Sequence, residues 1–407
     1  MKNSTRLITF AATVGLLVAG PVLAASIRVS SGGTDAPGCG IGPIPPCATI
    51  QQAVTNSANG DTVLVGPGMY GGGVINIDKA LRLSSANGTG SAVVVAQVVL
   101  SADDIVFGKL GKGFSLSPGS GNPAIVATAN AITVRGNLIS DCATGVDVLG
   151  GDAVVRDNSF DSCSTGIRIA GSGAQVRGNR MGYINSHGVY LDPASSDADV
   201  RENRMFGPSG VGVAVGGSGH IARRNLIHGT PGGGFTIAGS STGVQLVENV
   251  VVSVSAPAYY LSSGSGWVLR GNAAFNNGAP GFYLTAGTPL IAVGNVAIGN
   301  GAYGFLITGG DDHVLEDNTS IDNLGDGIVL SSVGNNVQFS GGNLYGNTSN
   351  CGLNHSSGST LTVDGVYWGA ATGPGANPAD DICGNTAAVT VNDSATKPAK
   401  IKPPAVK

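Results

Sequence analysis

The chain has 407 residues, of which 67 are glycine and only 11% are charged, and its formal net charge is -4. A chain this weakly charged and slightly acidic has no global basic field for nucleic acid. Beyond its N-terminus it also has no apolar run long enough to span a bilayer, so its solubility has to come from Asn, Ser, Thr and Gly on turns.

Lys2 and Arg6 precede the apolar run Leu7–Ala19, and Val22-Leu23-Ala24 or Leu23-Ala24-Ala25 offers small residues for cleavage. This is the pattern of an export signal over residues 1–24. It predicts a secreted or periplasmic protein, with no lipid-anchoring cysteine after the cleavage site. Six cysteines fit that compartment. Cys39 and Cys47 bracket a short Gly/Pro-rich loop, and Cys351 and Cys383 would close the C-terminal segment. Cys142 and Cys163 fall at equivalent points of neighbouring repeats, where a disulfide and a buried thiol pair are both open.

Residues 25–60 form a Gly/Pro-rich lead-in ending in a short helix. Thr49-Ile50-Gln51-Gln52 has capping-box spacing, Ala53 and Val54 continue an apolar stripe, and Asn59-Gly60 supplies a stop. Placed before strands, such a helix can cover the open end of a β-stack. Residues 61–385 then read as β-structure, irregular at first, and 386–407 as a flexible Lys/Pro-rich tail.

Between Ala131 and Gly334 one motif recurs nine times, marked by Asn137, Asn158, Asn179, Asn203, Asn225, Asn249, Asn272, Asn295 and Asn318. Subtracting each position from the next gives steps of 21 to 24 residues. Three residues before each asparagine the side chain is apolar (Val134, Val155, Val176, Val200 and onward), and two after it is mostly apolar (Ile139, Phe160, Met181, Met205). A glycine or alanine then leads an apolar-x-apolar triplet, as in Gly166-Ile167-Arg168-Ile169. Period-2 alternation rich in β-branched residues argues strand, and a leucine-rich framework is missing. The expected fold is all-β: a right-handed, single-stranded parallel β-helix with an N-terminal capping helix. Identical inward asparagines on successive coils would bond as a ladder. Asn343 extends the spacing by one more step, of 25 residues from Asn318.

The asparagine ladder, the capping segment leading into Gly60–Tyr70, and the ending Trp368 with Asn377-Pro378 resemble the pectate-lyase-like superfamily of right-handed parallel β-helix proteins. The resemblance covers nearly all of the chain after residue 24. It implies the fold, and it implies an activity among polysaccharide lyases, galacturonan hydrolases, pectin esterases, alginate epimerases and non-enzymatic adhesins.

Outward positions carry the functional information. Arg135, Arg156, Arg177, Arg201 and Arg223 stand two residues before five consecutive ladder asparagines, and Arg270 follows after a gap at Val247. Arg180, Arg204 and Arg224 are expected to thicken this stripe. Guanidinium groups bind carboxylates in a rigid two-pronged geometry, so an anionic, uronate-rich polysaccharide along the axis is the expected partner. The competing reading is that long side chains merely cover strand surface, with Asp157 and Glu202 neutralising them. Arg168, Tyr260 and Tyr283 lie mid-triplet as candidate substrate contacts: the two tyrosines, on neighbouring coils, are placed to stack against sugar rings, with ordinary strand aromatics as the competing reading.

For catalysis the candidates are His187, Tyr190 and Asp192. His187 or Tyr190 would exchange a proton, Arg168 or Arg177 would neutralise a uronate carboxylate, and Asp192 would orient. Tyr190…Asp192-Pro193 is similar to the Tyr-Gly-x-Asp-Pro-His motif of alginate epimerases, with one residue fewer between Tyr and Asp, Leu191 where a glycine is expected, and Ala194 in place of the histidine. The galacturonan hydrolase residue set and a calcium-holding aspartate cluster are missing, so no cofactor is expected. His220, His228 and His355 lack metal-ligand spacing, and Gly310-Asp311-Asp312-His313 reads as an inter-coil turn. The function expected from these residues is binding of an anionic polysaccharide by a monomer. The alternatives are a uronate lyase or C5-epimerase and a non-catalytic surface adhesin.

Overall fold

In the computed structural model, which describes residues 24–207, 209–287 and 289–404, the repeats stack as successive turns of a parallel β-solenoid. The expected export signal, residues 1–24, lies outside the described residues except for its last position. Each turn contributes three short strands. The strand before the ladder asparagine joins a 16-stranded sheet, the first face. The strand after it (Arg180–Gly182, Arg204–Phe206, Leu226–His228) builds the second face, and the apolar-x-apolar triplets (His187–Leu191, Val211–Val215, Phe235–Ile237) build the third. Leu138–Val148 and Ser159–Ile169 run unbroken through the corner between the second and third faces.

The register is strict. Val134 lies beside Val155, Val155 beside Val176 and Val176 beside Val200, all buried, so alternation sends the neighbouring arginines outward. The corner before each ladder asparagine needs left-handed backbone. Asp157, Glu202 and Arg224 have φ of 57°, 57° and 52°, and glycine serves at 136 and 178.

The ladder is continuous. Asn158 Nδ2 donates to Asn179 Oδ1 at 3.1 Å and to the Val134 carbonyl at 3.0 Å, and the pattern repeats to Asn318. Asn343 departs from the expectation. It pairs in register with Thr319 rather than Asn318 and meets the C-terminal segment. A second ladder went unforeseen at the next inward corner, where Asn277, Asn300, Asn323 and Asn347 bond amide to amide and end on Asp380. The same corner earlier in the chain holds the Cys142–Cys163 disulfide, Cα–Cα 4.5 Å, which resolves the choice between disulfide and thiols. Cys39–Cys47 and Cys351–Cys383 are also bonded, and three disulfides suit an extracellular or periplasmic compartment.

Inside the third face, Phe235, Tyr259, Phe282 and Phe305 stack with ring centroids 4.5–5.3 Å apart. The small residue before each triplet is a packing requirement. A Cβ on Gly188 would lie 2.6 Å from the Gly212 carbonyl oxygen and 2.7 Å from Met205 Sδ.

The ends differ from expectation. Ser26–Val29 is already a strand, parallel to Thr62–Val65, so the solenoid begins inside the lead-in. The helix spans Ile50–Asn56 and packs on those strands. Half of the capping box forms: Thr49 Oγ1 accepts from the Gln52 amide, while the Thr49 amide donates to Asp35 and the Gln52 side chain turns to Asn56. At the far end Val389–Val391 still pairs with Leu361–Asp364. The Lys/Pro-rich tail, expected to be flexible, is held: Ala399 exchanges two hydrogen bonds with Asn343, and Ile401 packs against the small apolar cluster Val250, Ala273 and Val296 of the second face. No helix among the described residues is long and apolar enough to cross a membrane.

Candidate functional site

On the first face, Arg135, Arg156, Arg177, Arg201 and Arg223 stand side by side in register on consecutive strands. They are not equivalent in charge. Arg201 and Arg223 both bind Asp199, Arg223 Nη2 at 2.8 Å from Oδ2, and Arg156 Nη1 reaches Asp157 at 3.2 Å. Those bonds to Asp199 raise the Arg223 pKa further, against the opposing pull of burial. Arg224 turns into the corner, 3.8 Å from Glu202. Arg135 and Arg177 have no carboxylate partner among the described residues. Arg177 Nε is buried with no hydrogen-bond acceptor among the described residues.

Arg180 and Arg204 do not thicken this stripe. They follow the ladder asparagines and so fall around the corner, paired with each other on the second face. There Arg180 lies 5.0 Å from the Phe206 ring centroid in a cation–π contact, beside a cleft of about 380 Å³ lined by Ser159, Asp161, Tyr183 and Phe206. Arg270 is on the first face, flanked by Val247 and Val293.

The third face gathers the catalytic candidates. Asp147, Arg168, Tyr190, Ala214, Thr236, Tyr260 and Tyr283 form one outward row. The His187 and Tyr190 rings stack 5.2 Å apart, and Ser186 Oγ shares a 2.8 Å hydrogen bond with His187 Nδ1. Burial holds the His187 pKa below its ordinary value, so the imidazole is neutral near pH 7 and able to accept a proton.

Two assigned roles change. Arg177 is on the first face and so does not share the strand row of His187 and Tyr190. Arg168 does, but donates to Asp147 at 3.0 Å and to Asp192 at 2.7 Å, so both carboxylates already neutralise it. Asp192 also accepts from the Ala194 amide, which together with Arg168 lowers its pKa despite burial. Its partner is Arg168, and the group on His187 is Ser186. Tyr260 and Tyr283 are neighbours, ring centroids 5.2 Å apart and tilted.

His220 and His313 are buried at inward corners, accepting from the Ala198 and Leu290 amides, so they serve the fold. Among the described residues no group of three or more His, Cys, Asp or Glu is placed to hold a metal ion. Sequence reasoning missed Arg82, Lys109 and Lys112, which line a cleft of about 270 Å³ with Arg135 at the N-terminal end of the first face. They lie in the irregular coils, where no repeat spacing marks them.

Among solved structures the fold is similar to the catalytic unit of the GH87 α-1,3-glucanase from Streptomyces thermodiastaticus, at 16% identity and TM-score 0.53, over 78% of this chain and 70% of that one. Pectate lyase Pel9A aligns over 63% of this chain and 78% of its own, at 15% identity and TM-score 0.46. The surface adhesin PfbA of Streptococcus pneumoniae aligns over 72% and 86%, at 13% identity and TM-score 0.45. No curated protein matches in sequence. The family described as "Right handed beta helix region" matches residues 112–251 and 222–366, more than half of the chain. With the ladder, the parallel register and that match together, the chain belongs to the right-handed β-helix family.

Proposed function

We propose that this protein is exported and binds an anionic polysaccharide, rich in uronate, lengthwise along the first face. The observation that carries this reading is the in-register row Arg135, Arg156, Arg177, Arg201 and Arg223, which repeats a cation about every 4.8 Å along the axis. A polymer with one carboxylate per sugar offers a comparable linear array of charge. Within the row Arg135 and Arg177 are the two without a carboxylate partner among the described residues, so their charge is the most available to a ligand.

The test is salt elution from immobilised polygalacturonate. R156Q/R177Q is expected to elute at lower NaCl than the parent protein, because each lost guanidinium removes a screened charge contact. D199N is expected to elute at higher NaCl, since it frees Arg201 and Arg223 from their internal partner. Equal elution of all three would reject the stripe.

A second reading is favoured by one observation, the neutral, partly buried His187 stacked on Tyr190. Here the pair would move a proton on a uronate lying along the third face. Unsaturated product or C5 proton exchange from alginate or polygalacturonate, lost in H187Q, would support it, and absence of both from the parent protein would reject it.

A further inference from the structure

The cations of the first face are distributed unevenly, and the excess is at one end. Arg82, Lys109, Lys112 and Arg135 line one cleft of about 270 Å³ together with Thr62, and among the described residues no carboxylate lines it. None of the four forms an ion pair among the described residues, whereas Arg156, Arg201 and Arg223 each do. The turn that carries the lysines is ordered. The Lys112 amide donates to the Lys109 carbonyl at 2.8 Å, and Arg135 Nε donates to the Gly108 carbonyl at 3.4 Å, tying the turn to the stripe. Gly108 and Gly111, with φ of 87° and 73°, supply the left-handed backbone that lets the turn fold back.

Four unpaired positive groups facing one small space repel each other, and in a chain of net charge -4 composition does not force them together. A bound anion removes that repulsion. The charge also exceeds what one uronate carboxylate neutralises. Farther along the face, one arginine per coil suits carboxylates spaced along a polymer; here the positive charge is concentrated. The volume is at the small end of ligand sites, suited to one sugar-sized group rather than a run of them.

We infer that this cleft is a subsite for a single sugar unit bearing a tetrahedral ester oxyanion, a sulfate or a phosphate, at the N-terminal end of the stripe. Lysine ammonium groups serve as point charges for such an oxyanion, and the two arginines add directed N–H donors. The inference deepens the polysaccharide reading and rests on it for the polymer to which the unit belongs. The preference for an ester over a carboxylate rests on the cleft alone.

The experiment is calorimetric titration of the protein, and of K109Q/K112Q, with glucose 6-phosphate, glucosamine 6-sulfate and galacturonate at fixed low ionic strength. Both lysines are exposed, so the variant is expected to fold, and its circular dichroism is compared with the parent. At least one ester sugar should bind about tenfold more tightly than galacturonate, and the double variant should lose that preference. Preference for the phosphate alone, the sulfate alone or both assigns the source of the oxyanion. Equal binding of all three sugars, or a preference that survives in K109Q/K112Q, overturns the subsite. Neither Arg156 nor Arg177 lines the cleft, so the elution test of R156Q/R177Q fails or succeeds separately from this one.

Discussion

Replacing Asn249 by alanine removes four hydrogen bonds at one buried point. Asn249 Nδ2 donates to the Ala222 carbonyl at 2.8 Å and to Asn272 Oδ1 at 3.0 Å, while its Oδ1 accepts from the Asn225 amide at 3.0 Å and from Asn225 Nδ2 at 2.9 Å. Asn272 Oδ1 keeps a second donor, the Asn249 amide. The Asn225 amide and one Asn225 side-chain proton do not keep theirs, whereas the Ala222 carbonyl stays within the parallel ladder between its strand and the next. Two orphaned buried donors at roughly 1–3 kcal/mol each set a floor near 2 kcal/mol, with water entering the vacated space as the factor that keeps the cost low in that range. The comparison is Asn87→Ala, an exposed turn position, expected within about 0.5 kcal/mol of the parent. The assay is guanidinium unfolding followed by the fluorescence of buried Trp267, whose strand stacks on the strand just before Asn249. Because a solenoid can unfold by propagation, the midpoint is compared at matched slope. If Asn249→Ala shifts it no more than Asn87→Ala, the ladder does not hold the corner together and the reasoning fails.

Removing the Cys142–Cys163 bond with a double serine variant opens a 21-residue separation and is expected to cost about 3 kcal/mol in the loop-entropy account, read as a lower unfolding midpoint. Burial lowers the pKa of His187 and of His220, whose Nδ1 accepts the Ala198 amide. The unfolded chain therefore binds protons that the folded chain resists, so stability is complete above about pH 6.5 and declines as pH falls below it. H220Q should flatten that decline in urea midpoints measured across the range. Asp192, with its lowered pKa, contributes stability that is lost only at more acid pH, below about 3.9. Ile401→Ala should cost on the order of 1 kcal/mol and loosen the tail from the second face, seen as faster amide exchange at Ala399.

The inward half of the molecule was legible because it repeats. The ladder asparagines and the apolar positions on either side obey one spacing, and a one-residue slip would turn every side chain over. The second ladder followed the same logic but was hidden, because its corner holds Cys142, Cys163, Ile184 and Val254 before Asn277 begins the amide series. The outward half was less legible. Spacing placed the five arginines in a row, but their neutralisation depends on Asp199, which sits on the neighbouring outward column of the same strand. Arg180 and Arg204 were misplaced because the αL corner at residues 178 and 202 turns the chain between faces. Ile401 could not be placed at all, since nothing in a Lys/Pro tail marks the strip it covers.

The three faces carry different chemistry, and under the proposed polysaccharide reading that division sets the length of ligand the first face would reward. From Arg82 to Arg223 it runs through seven consecutive strands, about 29 Å of axis at 4.8 Å per step. Beyond them come Val247, the isolated Arg270 and Val293, and then Glu316 and Asp364. A polyanion gains cations while it extends over the first stretch and meets carboxylates when it passes the second. Affinity for a graded series of oligogalacturonates should therefore rise with length until the chain spans about 29 Å and then level off, with the salt dependence of binding levelling at the same length. Continued growth in both quantities well past that span would place the polymer on another face, and the third, with Tyr190, Tyr260 and Tyr283 in one row, is the face it would have to follow.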